Sequence, residues 1–70
     1  MMRERVTSSV MATVGYDPDA QVMEVEFLSG AVYRYAPVSG CLYARLRTAS
    51  SLGQFFDAHI RDVVPFTRVA

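Results

Sequence analysis

Apolar and polar residues alternate along the first half of the chain in three runs, "SVMATVGY" (Ser9 to Tyr16), "QVMEVEFL" (Gln21 to Leu28) and "AVYRYA" (Ala31 to Ala36). A period of two in segments rich in Val, Tyr and Phe predicts strands with one buried face. Asp17-Pro18-Asp19-Ala20 suits a type I turn, because proline presets the second position and Asp17 can bond back to the backbone. Ser29-Gly30 marks a second reversal, so the three strands form an antiparallel meander. From Leu42 the period changes. Leu42, Leu46 and Ala49 recur at helical spacing, and Leu52, Phe56, Ile60 and Val63 repeat the rhythm. Ser39 is the candidate N-cap of the first helix, "ASSLG" from Ala49 to Gly53 separates the two, and Pro65 ends the pattern. "PFTRV" is an extended tail that can add a short strand. The expectation is an α+β fold: a three-stranded antiparallel β-meander followed by two short helices packed on one face, with that C-terminal strand as an option.

Register decides which way Tyr33, Arg34 and Tyr35 point, since a slip of one residue sends every side chain to the other face. A two-residue loop at Ser29-Gly30 would bury Arg34 beside Met23, Val25 and Phe27, at a cost of about several kcal/mol without a partner. A three-residue loop, Leu28-Ser29-Gly30, with Gly30 left-handed in a G1 bulge, instead pairs Phe27 with Ala31, Val25 with Tyr33 and Met23 with Tyr35. Glu24 then faces Arg34 on the opposite side, in a cross-strand ion pair worth about 0.2–1 kcal/mol. The bulged register is expected. It turns both tyrosine rings toward the helices with their hydroxyls at the rim of the core, and it assigns Tyr33→Ala a cost of about 3–5 kcal/mol as a core truncation.

Length and composition narrow the class. Seventy residues with 51% hydrophobic and 20% charged positions make one small domain, residues 1–70, with ends expected to fray outside Val6 to Val69. Seven arginines balance seven acids and there is no lysine, so no global positive field draws in nucleic acid, and any such binding needs a local patch. The lone Cys41 cannot form an internal disulfide and fits a reducing compartment, with the cytoplasm the expected location. Neither a signal-peptide core nor an apolar run of about 20 residues is present, so no membrane partner is expected.

Ser8-Ser9, Gly15-Tyr16-Asp17, Val25-Glu26-Phe27 with Gly30, Tyr33-Arg34-Tyr35, Val38, Ala49-Ser50, Gly53, Phe55-Phe56 and Ile60-Arg61 together resemble a KTSC domain. That module is named for the C-terminus of some lysyl-tRNA synthetases and also occurs as standalone bacterial proteins. The resemblance implies an α+β fold and offers RNA binding as a conjecture; Tyr33, Tyr35, Gly30 and Gly53 are read as its structural residues. Leu52 and Asp57 stand where the family commonly has lysine and asparagine, and both changes reduce positive or neutral polar character.

Catalytic and metal chemistry find no support in the spacing. His59 has no second histidine or cysteine nearby, Cys41 has no adjacent base and reads as a small half-buried residue, and the Ser8-Ser9 and Ser50-Ser51 pairs read as turn and cap residues. Gly30, Gly40 and Gly53 form no phosphate-binding loop. No cofactor is expected. The remaining signal is a set of arginines and aromatics: Arg34 on the outer sheet face, Arg47 and Arg61 on the outer sides of their helices, Arg45 on a flank, with Tyr43 and Phe55 beside them. Such a set can hold RNA or single-stranded nucleic acid through phosphate pairing and stacking. It equally suits a protein partner or a second copy of the chain. A non-enzymatic binding module is therefore expected, with RNA or single-stranded nucleic acid as the leading ligand and protein interaction or self-association as the alternative.

Overall fold

The computed structural model describes residues 1–70. Five strands form one antiparallel sheet in chain order, β1 (Arg3–Arg5), β2 (Met11–Asp17), β3 (Val22–Phe27), β4 (Val32–Tyr35) and β5 (Phe66–Arg68). Two helices, α1 (Gly40–Thr48) and α2 (Leu52–His59), lie between β4 and β5 in sequence. The class is α+β as the sequence predicts, with the optional C-terminal strand formed and one further strand at the other edge. β1 carries no apolar residue, and its arginines and glutamate are exposed. It is held by pairing Arg3 with Gly15, Glu4 with Val14 and Arg5 with Thr13, so the N-terminal end is part of the sheet.

The central register is the bulged one. Met23 pairs with Tyr35, Glu24 with Arg34 and Val25 with Tyr33. The Phe27 amide donates to the Ala31 carbonyl at 2.9 Å, and Gly30 adopts φ 95°. That positive φ is why the loop requires glycine. Asp17 Oδ1 accepts from the amides of Asp19 and Ala20, closing the first turn as the sequence suggests. A register shift between Met11 and Thr13 places a bulge at Ala12, so both Met11 and Val14 face inward.

Both helices cover one face of the sheet. Ser39 caps α1 by accepting from the Leu42 amide at 3.1 Å, and Ser51 caps α2 by accepting from Gln54 at 3.3 Å. The break is therefore shorter than "ASSLG", with Leu52 and Gly53 already in the first turn of α2. Met11, Val14, Met23, Val25, Val38 and Leu46 are fully buried, joined by Tyr35, Phe56, Ile60 and Val64. Val63 does not continue the helical rhythm. α2 ends at His59, Asp62 takes φ 60°, and the turn leaves Val63 exposed while Val64 enters the core.

Candidate binding groove

Tyr33 and Tyr35 point to the same side of β4, two residues apart, but the layer above them is not uniform. Phe56 of α2 packs edge-on against Tyr35 at 5.3 Å between ring centroids and against Phe27 at 5.7 Å. Tyr35 is thereby only 5% exposed, whereas Tyr33 lies beyond the helix and is half-buried. Phe66 of β5 completes the wall, with centroids 5.5 Å from Tyr33 and 5.8 Å from Tyr35, and stays 54% exposed. These five rings floor an open groove of about 590 Å³ between the end of α2 and the β3–β4–β5 side of the sheet.

The rim is polar. Ser9 and Ser29 stand at the hairpin end, and Asp57, Arg61 and Asp62 stand at the helix end. Arg61 reaches Asp57 at 3.5 Å across one helical turn, while Asp62 enters no ion pair. Within the protein, the tyrosine hydroxyls engaged in hydrogen bonds are those of Tyr16 and Tyr43, not those of Tyr33 and Tyr35. No fully buried side-chain polar atom lacks a partner, so the unbonded Tyr35 hydroxyl keeps some exposure, and Tyr35 is one of the residues that line the groove. Burial, followed by the neighbouring Tyr33, raises the Tyr35 pKa above the ordinary tyrosine value; Arg61 opposes that shift and Asp62 adds to it.

The predicted arginine and aromatic set is distributed over separate surfaces. Arg34 lies on the far side of the sheet, where its Nε donates to Glu24 at 2.7 Å and Arg3 reaches the same carboxylate at 3.5 Å. Arg47 is not on an outer helix side. It turns toward β1, donating to Glu4 at 3.2 Å and to the Tyr43 hydroxyl at 2.9 Å, and the Tyr43 bond is the main reason its pKa is raised. Tyr43 stacks on Tyr16 at 4.5 Å, whose hydroxyl donates to the Val38 carbonyl, so it ties α1 to β2. Arg61 lies past the end of α2 in the turn that forms the groove rim. Arg45 alone sits over Phe55, 5.4 Å from the ring, with His59 against the same ring at 4.4 Å. Cys41, in the first turn of α1, is exposed instead of half-buried.

The groove was outside the sequence-derived set apart from Tyr33, Tyr35 and Arg61. Phe66 lay in an apparently featureless tail, and Asp62 has no periodic signal. The two other glycines of the expected motif differ in kind from Gly30. A Cβ at Gly53 would meet Val10 at an ordinary 3.5 Å, whereas one at Gly15 would meet the Met2 carbonyl oxygen at 2.7 Å, where β1 crosses closely.

A family model described as the KTSC domain matches residues 7–63. An uncharacterised protein of Stutzerimonas stutzeri is 46% identical over 57 residues, covering 81% of this chain and 80% of that protein. A protein of Tsukamurella paurometabola is 34% identical over 56 residues, covering 80% and 84%. The crystal structure of a KTSC domain protein from Yersinia pestis superposes with a TM-score of 0.95 at 30% identity, covering 99% of this chain and 97% of that one.

Proposed function

We propose that this chain, which belongs to the KTSC domain family, is a non-enzymatic binding module that seats a segment of a partner protein in the aromatic groove. The observation that carries the reading is the exposure of Phe66 and Tyr33 beside the buried Tyr35 and Phe56 in one concave surface. Half-exposed aromatic rings in a preformed groove are the composition of interface hot spots, and they release ordered water on contact. Serines line the groove with no histidine or cysteine among the lining residues, so no serine–imidazole or cysteine–imidazole pair stands there. The lone exposed thiol of Cys41 fits a cytoplasmic setting, where it stays reduced. Panning a random peptide display library against the protein, with a Phe66→Ser variant as counter-screen, tests this. Peptides that bind the protein and lose at least about tenfold on the variant are expected. Failure to enrich any such peptide overturns the reading.

One observation favours a second reading, RNA or other single-stranded nucleic acid. Arg45 is paired with no carboxylate and lies over Phe55 beside His59, an arrangement able to stack a base next to a phosphate. Of the four arginines in the predicted set, Arg34, Arg47 and Arg61 each engage an acid on different surfaces, so the Arg45 group by itself supplies about one phosphate contact and a slope of log K against log salt near −0.7. Anisotropy with short RNA oligomers at two salt concentrations measures it, and no binding at low salt removes this reading.

A further inference from the structure

We propose that the groove is specific for an arginine side chain of the partner segment, held with its guanidinium between the aromatic walls, the Tyr33 and Tyr35 hydroxyls and the Asp62 carboxylate. This rests on the reading of the groove as the seat of a protein segment and names what that seat selects.

Three observations converge. Tyr35 is 5% exposed and lines the groove, yet its hydroxyl bonds to no group of the protein and, not being fully buried, stays accessible from outside. A phenol held this rigidly by Phe56 and Phe66 is an oriented acceptor for a donor that enters from outside. The rim carries two carboxylates and one guanidinium. Arg61 reaches Asp57 only in an exposed 3.5 Å pair, and with two carboxylates against one guanidinium the rim as a whole is negative by one charge. Finally, Tyr33 and Phe66 present ring surface to the opening, and an aromatic face attracts a cation through its quadrupole. An anionic ligand would meet Asp62 and aromatic faces, so charge complementarity selects the cation.

Guanidinium fits this set better than ammonium. It is planar, stacks on aromatic rings, is weakly hydrated, and carries five donors arranged to reach several acceptors at once. Tyr33, Tyr35 and Asp62 all line the same ring-walled groove, so two phenols and a carboxylate are available as acceptors for that fork. Ammonium would use the carboxylate but lose more hydration on entering.

The backbone at Asp62 allows a clean test. Its φ of 60° is a conformation that asparagine also adopts readily, so Asp62→Asn removes the charge without straining the turn. Tyr35→Phe removes the hydroxyl and keeps the ring packing. The probes are N-acetyl-arginine amide, its lysine counterpart, and the neutral isostere N-acetyl-citrulline amide, titrated against the labelled protein by amide chemical shifts. The expected result is saturable shifts for the arginine probe at Tyr33, Tyr35, Asp57, Asp62 and Phe66, weaker shifts for lysine, and none that saturate for citrulline. Asp62→Asn is expected to weaken the arginine probe about threefold to fivefold, and Tyr35→Phe about fivefold. Equal binding of citrulline, or an Asp62→Asn variant that binds arginine unchanged, overturns the arginine assignment. Groove-dependent library peptides lacking arginine do the same while leaving the segment-binding role standing, whereas the absence of any groove-dependent peptide removes that role itself.

Discussion

Tyr33 and Tyr35 share a strand face and a residue type, and what separates them is the position of a single ring. Phe56 covers Tyr35 and stops short of Tyr33. Truncation therefore has different costs at the two sites. Tyr35→Ala is expected to cost about 3–5 kcal/mol, as a buried aromatic lost from the core. Tyr33→Ala is expected to cost less, about 1.5–3 kcal/mol, because its ring packs against the core but keeps part of its surface in water. The sequence alone assigns the larger figure to Tyr33, whose burial is only partial, and urea denaturation of the two variants decides between the two values. Tyr35 also gives the protein an alkaline limit. Its pKa is raised in the folded state, so the folded protein holds that proton more tightly than the unfolded chain does. The contribution is complete below about pH 10 and is lost as pH climbs past the raised value. Thermal melting between neutral and strongly alkaline pH should show this decline in the wild type and a flatter profile in Tyr35→Phe. At this scale the face of each tyrosine was legible in the sequence, because burying Arg34 was too costly for the other register. The exposure of each was not, since alternation fixes the side of a sheet and says nothing of where a helix ends above it.

The elements that the sequence announced are those with apolar periodicity and a capping serine. Ser39 and Ser51 each satisfy an amide of the helix they begin, and Gly30 closes the hairpin that sets the central register. β1 left no such trace, because a three-residue edge strand of alternating charge buries nothing. The end of α2 was misplaced for a related reason: Asp62 takes the positive φ that glycine usually supplies, so no glycine marks the stop. Steric room separates two glycines that look alike in sequence. Gly53→Ala should be neutral or stabilise the domain by up to about 1 kcal/mol, since alanine is the better helix former and its Cβ meets only an ordinary contact. Gly15→Ala should cost about 1–3 kcal/mol and loosen β1, because a Cβ there collides with the backbone of the chain's first residues. Thermal melts rank the two variants, and amide exchange at Arg3 to Arg5 reports the detachment.

The whole molecule divides its surface by chemistry. The open face of the sheet carries Glu24 between Arg3 and Arg34, and Thr13 bonded to Glu26, a solvated network with its charges matched. The helical face carries the groove at one end and the Arg45–Phe55–His59 group on its outer side. No helix is long and apolar enough to cross a membrane. Both sheet edges are three residues long, β1 charged throughout as Arg3-Glu4-Arg5 and β5 mixed as Phe66-Thr67-Arg68. Edges this short offer few ladder bonds to a second copy, so strand addition between copies is disfavoured. Sedimentation velocity across a hundredfold range of concentration should return a monomer, and a concentration-dependent dimer would show that an edge is used. Balanced composition concealed this layout: equal numbers of arginines and acids predict no field, but not which arginine is neutralised by which acid. The central claim is that the aromatic groove is where a partner segment binds, and titrating the labelled protein with a library-selected peptide tests it most directly. Amide shifts are expected to cluster at Tyr33, Tyr35, Phe56 to Asp62 and Phe66, and to be lost in Phe66→Ser. Shifts confined to the Arg34 face of the sheet, or to Arg45 and its neighbours on α1, would contradict it.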